Sequence, residues 1–166
     1  MQYCFELLTP ENIYDAAAFV QKHEYRCIDL AEQLRLCLYP GYTPRYKKAA
    51  AVYTCPQQYV YPQRHTCLQP QKICCGVLLF STYGLLFHCI DRRLPEEAMT
   101  AFGRFFLSED FPYTELHAVA GIREHTLLFE RVISESAHVR LDTAVDYYLM
   151  RRTKPCTNSF FKTAQA

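Results

Sequence analysis

The sequence predicts an α/β (α+β mixed) fold, a mixed and partly parallel sheet flanked by helices. Three observations predict it. From Ile73 to Met150 the chain alternates apolar, strand-like runs with amphipathic helical stripes. The links between them are short, and strand–helix–strand units with short links lay their strands parallel through right-handed crossovers. Ser81-Thr82-Tyr83-Gly84 separates two of the apolar runs and signals a hairpin, which adds antiparallel neighbours.

Taken in order, Tyr3 to Leu8 is a first strand. Thr9 then sits as a helix N-cap, with Pro10 at the first helical position and Glu11 in the first turn. Ile13, Ala16, Ala17, Val20, Cys27, Ala31 and Leu34 form a helical stripe, with a bend or break expected between His23 and Cys27. Leu38 to Gln71 reads as an irregular excursion dense in Tyr and Pro, and Pro40-Gly41, Thr43-Pro44 and Cys55-Pro56 are turn signals. Within it, Ala49 to Tyr53 is short enough to be either helix or strand. Cys75 to Phe80 and Leu85 to Ile90 are the hairpin strands, with Gly84 in the turn. Pro95-Glu96-Glu97 opens a helix with Ala98, Met99, Phe102, Phe105 and Phe106 on its apolar face. Leu116 to Ala120 is a strand ending at Gly121. A second helix starts at Arg123 and buries Leu127, Leu128, Val132 and Ile133, and Ala144 to Met150 is a last strand. The expected organisation is one domain over residues 1–154, with the excursion at 38–71 and a frayed tail at 155–166.

Composition narrows the functional classes. Half of the 166 residues are hydrophobic, which is enough for a core, and the net charge is only +1, so a chain-wide basic field for nucleic acid is missing. No apolar run reaches the roughly 18 to 20 residues of a membrane span. The first residues carry no basic region followed by an apolar stretch, so no secretory signal is expected. The nine cysteines are an odd number. The expectation is a reducing cytoplasm in which most of them serve as small buried hydrophobes.

The order of elements carries a resemblance. Its segments are Phe19 to Cys27, Leu86-Phe87-His88-Cys89, Leu116 to Gly121 followed by Thr126 to Glu130, and Tyr148-Leu149-Met150. With these the chain resembles the GNAT superfamily of N-acetyltransferases. More narrowly, it is similar to a GNAT-like domain found ahead of GNAT catalytic domains in some bacterial proteins. The resemblance implies a GNAT-like sheet, in an incomplete form because the usual additional C-terminal helix and strand are not seen. It also implies an acetyl-CoA loop between a strand and the following helix, where backbone N–H groups and the positive helix end hold the pyrophosphate. That motif runs Gln or Arg, two residues, Gly, one residue, Gly or Ala. Its place here is Asp91-Arg92-Arg93-Leu94-Pro95-Glu96-Glu97. Pro95 lacks the N–H, and Glu97 puts an anion where the last small residue belongs. Arg92 and Arg93 could attract phosphate, although arginines beside a strand are more often a solvated edge.

Other constellations weigh less. Gly121, Arg123 and His125 lie at a strand-to-helix junction, the kind of place where open sheets bind ligands, and a plain turn with a solvated helix start explains the same residues. Between Gln33 and Ile90 there is no Asp or Glu, while Arg35, Arg45, Lys47, Lys48, Arg64 and Lys72 alternate with tyrosines. That pattern suits single-stranded nucleic acid or an acidic partner, and equally a Tyr-rich loop with exposed cations. Cys55, His65, Cys67 and Cys74 lack a paired C-x-x-C spacing, and His23 with Cys27 is a pair only, so no metal site is assigned. His88 and Cys89 adjoin on a strand, and strand neighbours point to opposite faces.

The expectation is therefore a GNAT-like accessory or binding module in the cytoplasm. No cofactor is expected, and the partner would be a GNAT catalytic domain or another protein, not nucleic acid or membrane. The alternative is an acyl-CoA-dependent N-acyltransferase with an atypical cofactor loop, for which acetyl-CoA is the cofactor and Glu24, Glu115 or His125 the base. A basic, aromatic binding surface is the third reading.

Overall fold

The computed structural model describes residues 2–55, 72–108 and 110–137. They form five strands, β1 (Gln2–Leu7), β2 (Tyr46–Cys55), β3 (Ile73–Ser81), β4 (Leu85–Ile90) and β5 (Ala118–Ala120). Four helices accompany them, α1 (Ile13–Lys22), α2 (Ile28–Cys37), α3 (Glu96–Phe106) and α4 (Arg123–Ala137). The sheet order follows the chain, β1-β2-β3-β4-β5. The first four strands pair antiparallel. β5 pairs parallel to β4, with Leu85 beside Ala118 and Phe87 beside Ala120. The fold is thus α+β with a mixed sheet.

The sheet is covered on both faces, and the alternation of side chains divides the core accordingly. Ala50, Val52, Leu78, Phe80, Leu86 and Ile90 face α3 and α4, where Phe102, Phe106, Phe129, Val132 and Ile133 meet them. Ala49, Ala51, Tyr53, Val77, Leu79 and Cys89 face α1 and α2, where Ala16, Val20, Leu30 and Leu34 close the second core. Strands buried on both sides need apolar residues at every position, so β3 reads as an unbroken apolar run rather than an alternating one. Phe102 and Phe106 are fully buried, and each contributes roughly 2–3 kcal/mol by removal from water.

Several boundaries differ from expectation. Thr9 does not cap α1. The segment from Thr9 to Asn12 makes a turn in which the Asn12 side chain accepts from Thr9 N at 2.8 Å and donates to Leu7 O at 3.0 Å, and the helix begins at Ile13. The expected break between α1 and α2 is a 3-10 turn, Glu24–Arg26. The excursion expected at 38–71 contains β2, an inner strand of the sheet paired on both sides. Its remaining part at 56–71, the strand expected at Ala144 to Met150, and the tail lie outside the described residues. On α3, Gly103 takes the inward position expected of Phe105. A Cβ there would lie 3.1 Å from the Phe129 ring, so a small residue lets the two helices approach. On α4, Phe129 is buried and Leu127 is half exposed.

Most of the described cysteines are free, as expected, and one pair is bridged. Cys4 and Cys55 form a disulfide between β1 and β2. Cys27, Cys37, Cys74, Cys75 and Cys89 are free. No helix among the described residues is long and apolar enough to cross a membrane.

Candidate functional site

The carboxyl ends of the two parallel strands point to one place in the fold. β4 leads through residues 91–95 into α3, and β5 leads through Gly121 and Ile122 into α4. Arg92 on the first acts electrostatically on His125 at the second. Arg26, from the 3-10 turn before α2, bears on the same imidazole. Gly121 and His125 both border the His88 ring, and Arg123 opens α4.

At the β4–α3 junction two backbone donors are already committed. Arg93 N donates to Asp91 Oδ1 at 2.9 Å, and Leu94 N donates to Asp91 O at 3.0 Å. Pro95 has no N–H and occupies the N-cap. Glu96 and Glu97 fill the first turn, where carboxylates complement the positive helix end and occupy the charge an anionic ligand would use. Glu96 is held by Arg131 of α4. Arg93 is not directed at a ligand either. Its guanidinium forks onto Asp91, with Nη2 2.7 Å from Oδ2, and that hydrogen bonding holds the Asp91 carboxyl down to about 2. The outer face of α3 carries a shallow open groove lined by Glu96, Glu97, Thr100, Ala101 and Arg104.

At the β5–α4 junction the sequence reading missed a partner. His88, on β4, is fully buried against α4. Its Nε2 lies 2.9 Å from Thr126 Oγ1, and that hydroxyl lies 3.1 Å from Ile122 O. A hydroxyl has one hydrogen, and a carbonyl can only accept, so Thr126 donates to Ile122 and accepts from His88. His88 is thereby the Nε2–H tautomer, and its Nδ1 is a lone pair. That Nδ1 is buried without a hydrogen-bond partner, and so is the Nδ1 of His125. The two rings are 5.9 Å apart between centroids, and Phe129 closes the other side of His88 at 5.2 Å. Burial, and then the neighbouring His125, hold the His88 imidazolium down to about 3. Burial also lowers His125, with Glu124 opposing and Arg26 and Arg92 reinforcing the shift.

Gly121 is fixed by this arrangement. A Cβ at position 121 would lie 2.1 Å from the His88 ring. The sequence signalled a turn glycine, and nothing in it signalled that a histidine 33 positions earlier fills the vacated space. His88 and Cys89 do point to opposite faces, Cys89 into the α1–α2 core, where it meets the Cys27 side chain.

The other candidate groups are engaged elsewhere. Glu115 pairs with Lys47, and Arg35 with Glu32. Lys72 pairs with Glu6, and Lys48 Nζ caps α3 at Phe106 O, 2.6 Å away. Cys27 Sγ donates to His23 O, and Cys55 is in the disulfide. Among the described residues no group of three or more His, Cys, Asp or Glu side chains is arranged to hold a metal ion. His65 and Cys67 lie outside the described residues. Comparison with protein-family models, with curated proteins and with solved structures returns no match to this chain.

Proposed function

We propose that this chain is a GNAT-like accessory or binding module without an independent acetyl-CoA site, acting through a protein partner such as a GNAT catalytic domain. The observation that carries the reading is the β4–α3 junction. Cofactor binding in a GNAT-like fold needs free backbone N–H groups and an unneutralised helix start at this place. Here two N–H groups turn inward to Asp91, Pro95 supplies none, and two glutamates occupy the first turn. The strand order and the parallel β4–β5 pair support the GNAT-like likeness of the sheet.

The acyltransferase alternative gains little from the candidate bases. Glu115 is paired with Lys47, and His125 is buried with its Nδ1 facing no donor among the described residues. The nucleic-acid reading loses four of its cations, Arg35, Lys47, Lys48 and Lys72, to partners within the fold. A cytoplasmic setting belongs to the same proposal, supported by the five free thiols among the described residues. The Cys4–Cys55 bridge is the observation against it. Titration of the full chain with acetyl-CoA tests the reading. Saturable binding in the micromolar range overturns it, and no binding at millimolar ligand supports it.

A further inference from the structure

The β4–β5–α4 junction holds two imidazoles, of which the proposed function uses neither. Both side chains are buried. The His88 ring occupies the space above Gly121, and Phe129 closes its far side. The arrangement therefore acts on the fold itself rather than on a bound molecule.

Its logic follows from the hydrogens. Thr126 is in the first turn of α4, and its hydroxyl passes one hydrogen bond from His88 on to Ile122 O at the helix entrance. This chain ties the start of α4 to the middle of β4. It requires His88 to be neutral with its hydrogen on Nε2. A second proton would have to sit on Nδ1, which is buried and faces no acceptor, with His125 as the ring opposite. His125 Nδ1 is likewise buried without a hydrogen-bond partner. A buried charge without a partner costs several kcal/mol, so the imidazoles take up protons by leaving their sites.

We propose that His88 and His125 form an acid-sensitive latch, holding the start of α4 on β4 while both rings are neutral and releasing the helix when either is protonated. The charged groups facing the pair set its bias. Arg26 from the 3-10 turn and Arg92 from the β4–α3 junction oppose protonation of His125, and Glu124 on α4 favours it. His125 is the only titratable group that bears on His88 among the described residues. Release opens the α4 face of the sheet and would detach Arg131 from Glu96 and Glu135 from Arg104, the ion pairs joining α4 to α3.

The sign of the effect is fixed. The folded values lie below the ordinary value of 6.5, so the latch is fully held above about pH 6.5 and is lost progressively as pH falls toward about 3. A histidine that is protonated only in the open state raises the opening equilibrium about tenfold at pH 5.5 relative to pH 7.5. Hydrogen exchange of the full chain, corrected for the intrinsic pH dependence, reads this directly. The expected result is at least about a tenfold loss of protection in α4 amides between pH 7.5 and 5.5, with α1 amides changing less. Equal losses in α1 and α4, or no loss in α4, overturn the latch. In His88→Leu the α4 response should shrink, and an unchanged response overturns the role of His88. Should that variant not fold, a nitrogen NMR titration of the wild-type imidazoles decides. The Nε2–H tautomer of His88 persisting through pH 5.5 in the folded chain supports the latch, and in-place titration near 6.5 overturns it.

Discussion

The imidazole of His88 fills the space that a side chain at position 121 would need. A Cβ on Gly121 would come within 2.1 Å of its Cε1 and 2.3 Å of its Nε2. One strand thus supplies the bulk and the next supplies the gap, and the pair fixes how closely the turn after β5 approaches β4.

The first prediction follows from that contact. Gly121→Ala should destabilise the fold by about 1–3 kcal/mol, the usual cost of forcing an extra methyl into a packed interior. Urea unfolding of the variant beside wild type measures it. A change below about 0.5 kcal/mol would show that the ring yields freely.

Lys48 carries a second prediction. Its ammonium reaches Phe106 O at 2.6 Å and Ser108 Oγ at 3.0 Å, ending α3 at the pole of the helix that favours a cation. Lys48→Met keeps the stem and removes the donor, and should cost about 1–2 kcal/mol. The loss should appear as faster amide exchange in the last turn of α3. Equal exchange in the two proteins would leave the cap without energetic weight.

The cysteines give a third. Burial pushes the Cys74 thiol up to about 12 and the Cys75 thiol up to about 11. Cys89 is raised by its contact with Cys27 and by burial. At pH 8 Cys74 then holds on the order of a thousandfold less thiolate than an ordinary cysteine. Alkylation with peptide mapping should find Cys74, Cys75 and Cys89 unmodified in the native chain and all labelled after denaturation. Native labelling as fast as in the denatured chain would contradict the raised thiols of these three residues.

Much of the fold was legible because its signals are local. The Gly84 turn between two apolar runs gave the hairpin, and Gly84 has φ of 77° there. The Pro95-Glu96-Glu97 start of α3 needed only the chemistry of helix entrances. Tyr46 to Cys55 was less legible. Its centre is Ala49-Ala50-Ala51, residues with weak strand preference, and the sheet places them because small side chains fit between layers on both faces. On α3 the apolar stripe favoured Phe105 by size, and only the approach of Phe129 shows that Gly103 holds the inward position. At the candidate site, the departure of Pro95 and Glu97 from the motif that the proposed resemblance implies could be read from those two residues alone. The His88–His125 pair could not, because residues 37 positions apart meet only once β4 and α4 are packed.

Calorimetric titration of the chain with acetyl-CoA decides whether the β4–α3 junction lacks a cofactor site, as proposed. With Arg93 forked onto Asp91 and glutamates at the helix start, the expected result is no saturable heat with acetyl-CoA up to millimolar concentration. A saturable isotherm in the micromolar range, lost on adding free coenzyme A as competitor, would contradict it.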